Sequence, residues 1–581
     1  MRGTAGLIRD TNKMKHIRIL IFFMLLLVTA FLALAGRCFY LQYYRNEHYN
    51  SISVRQQEKL IPQQPQRGVI LDCRGRVLAA SNKVQTIFAE PRVIKDPEET
   101  AVELAPILRI GSQEICELIK QSKNPGYVKL KVNADANQCR AVAKIAGVGV
   151  QSDWERTYPM GSLVSHVVGF TSADNRGMDG IELQCNKELT GSPGQNIFFA
   201  DASRRPIRFK EQTSVLNDGV GVILTIDATI QQFAREALME QYKNFQAESA
   251  VAVVADPKTG AILAMVSLPD FDPNNFNSVD TDHLRNRAIT DQYEPGSILK
   301  PFAAALAVEA GAVGKDEVIY CEDGFYHGKG FGQITEYSNH RYGMLSVREI
   351  LIKSSNIGMA KIGQKLGGEK LYKGMRLFGF GRQTGIDLPG EVEGLLWPLN
   401  KWTGYSVTRI PFGQEITVTA IQLMRAFCML SNGGHSVGPY LVQAMVDNDG
   451  RITKIKHPSP PIGFVIKPEV ANWMITDPLV GVINEKDKGG TGWRAKLEKW
   501  QVFGKTGTAN IAKSDQKGYS ESDYIASFLA GAPAEDPKIV VLVSVRKPNK
   551  ERGEYTGGAV ASPVAGKIIE KTLNYLETTQ Q

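Results

Sequence analysis

The chain has 581 residues, and its 68 Lys and Arg outweigh 60 Asp and Glu to give a formal charge of +8. That length exceeds one typical domain and allows several hydrophobic cores. The positive balance is mild, with no long basic block and no basic stripe interleaved with aromatics, so nothing supports nucleic-acid binding.

The first element is ILIFFMLLLVTAFLALAG, residues 19–36. Uncharged and apolar, it spans roughly 27 Å at the helical rise, just enough to cross a bilayer. Arg2, Arg9, Lys13, Lys15 and Arg18 precede it against Asp10 alone. The positive-inside bias therefore makes residues 1–18 a cytoplasmic tail and places everything after Arg37 outside the cytoplasm. A cleaved signal peptide is the alternative, because Ala33-Leu34-Ala35 fits a cleavage pattern. The apolar run is longer than the ~7–15 residues of a signal core, which favours an uncleaved transmembrane helix over 19–36. Arg37, between Gly36 and Cys38, argues against a lipid-attachment site.

Residues 37–218 read as an elongated α+β N-terminal module. RCFYLQYYRNEHYNSISVRQQ continues the helix as a stalk. RGVILDCRGRVLAAS places two β-rich runs around Asp72-Cys73-Arg74-Gly75, a hairpin with Gly75 supplying the turn. Short strands, helical pieces such as DPEETAVELAPIL and loops such as TGSPGQN follow, without a chemical cluster. The seven cysteines (38, 73, 116, 139, 185, 321 and 428) are scattered singly with no C-x-x-C. Mostly buried free thiols are expected, with one bridged pair left open, and neither a metal site nor a cofactor is implied.

Residues 219–581 read as a large α/β domain. GVGVILTIDATIQQFAREALMEQY supplies a strand and a long amphipathic helix, and AVAVVADPKTGAILAMVS two strands around a turn at Asp256–Gly260. Helices are expected over 299–310, 345–366 and 417–431. Strands return in KWQVFGKTGTAN, YIASFLAGAPA and KIVVLVSVRK, and a helix over 563–577 closes the chain. Strands, then helices, then strands imply one sheet assembled from both ends of the domain with helices packed on it.

S-x-x-K occurs three times, as Ser297/Lys300, Ser514/Lys517 and Ser544/Lys547. Only the first stands at a helix start, because Pro301 is tolerated there and not in a helix interior. Ser297 then sits at the positive end of the helix dipole with Lys300 about one turn on, which suits a serine nucleophile beside a lysine base of lowered pKa. While the pair stands alone, a capping serine with a solvated lysine explains it better, and further motifs are needed to reject that reading. Ser354 and Asn356, at the start of an Ala/Gly/Ile helix, present a hydroxyl and an amide for proton relay and substrate binding, or serve as ordinary caps. K-T-G occurs twice. Lys258-Thr259-Gly260 fits a tight turn, whereas Lys505-Thr506-Gly507 runs on into Thr508 on a strand. Strand alternation puts Lys505 on one side and the Thr506 and Thr508 hydroxyls on the other, and Gly507 leaves room for a ligand backbone. A cation and two hydroxyls along a strand suit a peptide carboxylate.

Ser297-x-x-Lys300, Ser354-x-Asn356 and Lys505-Thr506-Gly507, in that order, resemble the three motifs of the active-serine penicillin-recognising enzymes. RGVILDCRGRVLA, RTYPMGSLVSHVVGF, GMDGIELQCNKELTGSPG, LTIDATIQ, FGFGRQTGIDLPGE, FGQEITVTAIQLMRAF and YTGGAVASPV extend the likeness over almost the whole chain after the anchor, to class B penicillin-binding proteins and their division-type, FtsI-like branch. The resemblance implies a penicillin-binding-protein/serine β-lactamase-like transpeptidase fold over 219–581, a central antiparallel sheet with helices on both faces and a helical subdomain, preceded by a pedestal over 37–218. It implies that Ser297 attacks the penultimate D-alanine carbonyl of a peptidoglycan stem peptide, that Lys300 takes its proton, and that Ser354 and Lys505 return a proton to the departing D-alanine. Asn356 would bind the donor amide, Thr506 and Thr508 the carboxylate, and the backbone amides of Ser297 and Thr508 the oxyanion. A second stem peptide would accept the acyl group, β-lactams would acylate Ser297, and a SEDS-family glycosyltransferase with divisome proteins would be the partners at the cell membrane. Two departures from the pattern are Cys73, where relatives often carry arginine, and FGQITEYSNHRYGMLS, which lacks the compact Asp-containing form usual before the S-x-N helix. The competing readings are an elongation-type enzyme and a β-lactam sensor or β-lactamase.

Overall fold

The structure is a computed structural model that describes residues 5–200, 206–447, 449–455, 463–513 and 518–579. The Ser514/Lys517 pair lies outside the described residues. The chain divides into two compact units, residues 1–65 with 192–217, and residues 66–191 with 218–581.

The first unit carries a helix over Ala5–Phe39, a five-residue wide turn of helix over Tyr40–Tyr44 and a second helix over Asn46–Gln57. The stretch Met14–Tyr44 is long and apolar enough to cross a membrane, and side chains such as Leu20, Phe23 and Phe31 stand exposed along it. A three-stranded antiparallel sheet of Glu58–Gln63, Gly194–Ala200 and Pro206–Ser214 completes the unit.

The second unit is built on a five-stranded antiparallel sheet of β1 (Ser249–Ala255), β2 (Ile262–Leu268), β3 (Phe503–Ala512), β4 (Tyr519–Ala532) and β5 (Ile539–Arg546), in the order β2-β1-β5-β4-β3. Period-two alternation gives each strand two buried faces. Ala250, Ala252 and Val254 of β1 and Val541 and Val543 of β5 pack under α1 (Ala228–Asn244) and the C-terminal helix Ser562–Thr579. Val251, Val253 and Leu542 point the opposite way into the helical subdomain. Each fully buried Val, Leu, Ile or Phe here contributes about 1.5–3 kcal/mol. β3 is one of the two edge strands, leaving one side of its backbone open to a ligand.

Within the helical subdomain, α2 (Lys300–Glu309) is buried along its length from Lys300 to Ala307, as its all-round apolar sequence requires. The helix expected over 345–366 is instead two, α3 (Val347–Ile352) and α4 (Asn356–Leu366). The break is Ser354, whose φ of +60° no helix accepts. The first hairpin forms as its sequence suggests, Ile70–Leu71 pairing with Val77–Ala89 around Gly75 at φ +79°. Ile70–Leu71 also runs parallel to Gly221–Leu224, joining this segment to the α/β part within one unit.

The N-terminal segment of this unit holds one buried charge cluster that its sequence did not advertise. Glu182 takes Arg67 Nε at 2.6 Å and Arg156 Nε at 2.7 Å, all three side chains 3% exposed or less. Removing one partner from such a cluster costs about 3–5 kcal/mol, because the others are left as buried charges. No disulfide forms among the described residues, with Cys185, Cys321 and Cys428 buried, Cys73, Cys116 and Cys139 half-buried and Cys38 exposed. The set is more open than expected, because Cys38 lies at the end of the exposed N-terminal helix and Cys73 in the tip of the first hairpin.

Candidate active site

A cavity of about 370 Å³ opens between the start of α2, the α3–α4 break and the free edge of β3, and Ser297, Ser354, Asn356, Thr506 and Thr508 line it. Ser297 sits in a single 3-10 turn, Gly296–Leu299, that leads into α2. Two glycines make this approach possible. Gly296 adopts φ +59°, and a Cβ on Gly507 would come within 2.8 Å of Ile298 Cγ1 and 3.1 Å of the Pro295 carbonyl oxygen. The edge strand therefore lies against the serine turn, where any larger residue at 507 would push it away.

Beneath Ser297 the three motifs meet. Lys300 Nζ donates to the Ser354 carbonyl at 2.5 Å, to Asn356 Oδ1 at 2.8 Å and to Ser354 Oγ at 3.2 Å. Lys505 Nζ reaches the same Ser354 Oγ at 2.9 Å and the Thr506 carbonyl at 3.2 Å. One hydroxyl thus bridges two lysine amines, and both lysines are completely buried. Burial lowers the Lys300 pKa to about 7, with Glu336 opposing the shift. Lys505 falls well below its ordinary value through burial and the neighbouring Lys300 cation. Two ammonium groups on one hydroxyl in a dry site disfavour each other, which favours the neutral amine that a general base requires.

The remaining residues keep capacity for a ligand. Asn356 Nδ2 donates to the Thr335 carbonyl at 3.0 Å, leaving one N–H and one lone pair of its amide. Thr506 Oγ1 pairs with Thr491 Oγ1 at 2.6 Å, and Thr508 Oγ1 accepts from Gly557 N–H at 3.1 Å, which leaves its own O–H to donate.

Glu336 was not singled out from the sequence. It is 4% exposed and accepts from Ser355 Oγ at 2.5 Å, Asn356 N–H at 2.6 Å and Ile357 N–H at 3.3 Å. A buried carboxylate on the first amides of α4 satisfies donors that no helix satisfies internally, and locks the turn that presents Ser354 and Asn356. It belongs to the stretch FGQITEYSNHRYGMLS, which lacks the usual Asp and in which no local pattern shows that Glu336 reaches the helix end.

The other copies of the short motifs lie elsewhere. Ser544 is buried in β5 with its hydroxyl 3.1 Å from Ser527 Oγ, and Lys547 pairs with Glu248 at 2.6 Å. Lys258-Thr259-Gly260 forms the β1–β2 turn, with Lys258 on Asp536 at 2.5 Å.

Residues 250–570 match the family described as penicillin binding protein transpeptidase domain, and residues 62–219 the penicillin-binding protein dimerisation domain. This chain is a penicillin-binding protein. Among its relatives in the family, it is 34% identical to stage V sporulation protein D of Bacillus subtilis, over 95% of this chain and 85% of that one. It is 30% identical to the probable peptidoglycan D,D-transpeptidase PenA of Neisseria meningitidis, over 96% and 92%. Its fold matches the crystal structure of a peptidoglycan synthetase from Bifidobacterium adolescentis with a TM-score of 0.70 and 25% identity, covering 90% of this chain and 97% of that one. Family membership carries with it the D,D-transpeptidase activity class.

Proposed function

We propose that this penicillin-binding protein cross-links peptidoglycan through an acyl-enzyme on Ser297. The observation that carries the reading is the buried cluster of Lys300, Ser354 and Lys505 under a cavity-lining serine. Neutral Lys300 takes the Ser297 proton as Oγ attacks the penultimate D-alanine carbonyl of the donor stem. The amides of Ser297 and Thr508 hold the oxyanion, where one such donor is worth roughly 3–4 kcal/mol of barrier. Collapse breaks the C–N bond, and the proton passes through Ser354 and Lys505 to the leaving D-alanine. Thr506 and Thr508 hold its carboxylate, Gly507 lets the edge strand lie against the serine turn, and Asn356 binds the donor amide. An amine of a second stem then displaces Ser297, and β-lactams enter the first half of this cycle as mimics.

In this reading residues 1–18 are the cytoplasmic tail, 19–36 the single membrane span, 37–218 the pedestal and 219–581 the transpeptidase domain outside the cytoplasm. The FtsI-like motifs favour septal synthesis, with a SEDS-family glycosyltransferase and divisome proteins as partners. Depletion in cells that gives filaments supports this, and rounding assigns the elongation role instead.

The full chain in detergent, mixed with a fluorescent penicillin, should form one stable adduct that disappears in Ser297→Ala. An adduct that persists in that variant removes Ser297 as nucleophile, and rapid penicillin turnover makes the protein a β-lactamase. Because Lys300 must be neutral, the acylation rate should rise tenfold per pH unit below about 7 and level off above it, read as adduct formation against pH.

A further inference from the structure

The carboxylates that line the cavity are Glu294, Glu336 and Glu554. Glu336 is engaged by Ser355, Asn356 and Ile357, and Glu554 by Arg494 at 2.8 Å. Half-buried Glu294, on the chain just ahead of the nucleophile, takes only neutral donors among the described residues. These are Tyr519 O–H at 2.8 Å and Glu415 N–H at 2.9 Å, one on each carboxylate oxygen, so each oxygen keeps a lone pair. Arg409 is coupled to Glu294 electrostatically, but its guanidinium is committed to Gln414 Oε1 at 3.3 Å, the Gln333 carbonyl at 3.2 Å and the face of the Tyr405 ring. Burial raises the Glu294 pKa, and the Glu415 carboxylate adds to the rise, while Tyr519, the Glu415 amide and Arg409 oppose it. A carboxylate short of compensating charge in this way is stabilised by an arriving cation.

Two contacts place Glu294 along β3. A Cβ on Gly296 would lie 3.3 Å from Ala509 Cβ, and Tyr519, which donates to Glu294, pairs across the sheet with Ala512 at the far end of the strand. Ala509 and Asn510 line the cavity between that end and Thr508. A donor stem with its terminal carboxylate on Thr506 and Thr508 and its scissile carbonyl at Ser297 continues along the free edge towards Ala509 and Ala512, antiparallel to β3. The residues ahead of the D-alanine pair therefore pass Glu294.

Those residues carry an amine. A cross-link is made to a side-chain amine of a second stem, and donor and acceptor are copies of one polymer, so the donor bears the same amine, charged while free and neutral once acylated. We propose that Glu294 is a specificity residue for the donor, holding this side-chain ammonium and so selecting stems whose amine is still free over stems already cross-linked through it. This rests on the transpeptidase reading above. Glu294 exchanges no proton with the reacting atoms. Its charge-assisted hydrogen bond to the ammonium holds the stem on the free edge of β3, with the scissile carbonyl at Ser297.

The test uses full-length protein in detergent with two donors, Nα-acetyl-Lys-D-Ala-D-lactate with its side-chain amine free or acetylated, and reads kcat/KM for D-lactate release. The parent should prefer the free amine about fivefold, and added salt should weaken that preference. Glu294→Gln should abolish the preference by slowing the free-amine donor, and Glu294→Asp, which keeps the charge, should restore part of it. Equal rates on the two donors in the parent overturn the proposal, whether or not the variants fold. A preference unchanged in Glu294→Gln also overturns it, as do equal losses on both donors, because Glu294 would then only position the serine turn. Penicillin labelling of Ser297 in the parent, measured alongside, separates these outcomes from failure of the transpeptidase reading, in which no Ser297 adduct forms.

Discussion

Lys258-Thr259-Gly260 and Lys505-Thr506-Gly507 are the same tripeptide in two places of one sheet. The first is the turn between β1 and β2, where Gly260 adopts φ +81° and Lys258, 49% exposed, pairs with Asp536. The second lies on the edge strand, where Lys505 is fully buried within 2.9 Å of the hydroxyl that also meets Lys300. In the turn, glycine answers a backbone requirement and lysine makes a surface ion pair worth about 1 kcal/mol or less. On the strand, glycine makes room for the serine turn, and lysine is desolvated beside a second cation. Burial and neighbours, rather than residue identity, turn K-T-G into chemistry.

The sharpest break of this comparison is a pair of matched substitutions. Lys505→Met should slow penicillin acylation of Ser297 by about 10³-fold, while Lys258→Met should leave it within a factor of two, both read as stopped-flow or gel-shift acylation rates. Equal effects would mean that the two lysines are not distinguished by their surroundings.

An intermediate effect is expected at the carboxylate that holds the motif turn. Glu336→Gln should slow acylation about tenfold and lower stability by about 1–3 kcal/mol in thermal melts. Glu336 raises the Lys300 pKa, so its neutralisation should also move the acid limb of the pH–rate profile to lower pH. A purely structural carboxylate would leave that limb in place.

The smallest effect belongs to the turn. Lys258→Met should change stability by less than about 1 kcal/mol, and less still in high salt, because its pair with Asp536 is exposed on both sides.

Much of the site was legible in the residues. Pro301 marked where α2 starts and so which of three S-x-x-K pairs stands at a helix, and Thr508 after the second K-T-G marked a strand rather than a turn. Other parts were not. The helix expected over 345–366 breaks at Ser354, because the turn is held by Glu336, which lies before a separate 3-10 turn and strand. Thr491 carried no motif, and only folding sets its hydroxyl against that of Thr506.

By itself the sequence determined the membrane-length apolar helix, the alternation that builds a doubly buried sheet, and the short motifs with their order. These depend on local spacing, which 3.6-residue and 2-residue periods translate directly into faces. The tertiary structure alone decided which serine, which lysine and which K-T-G share one dry site. Desolvation and charge–charge proximity depend on segments more than 200 residues apart being packed together, and no local pattern records that distance.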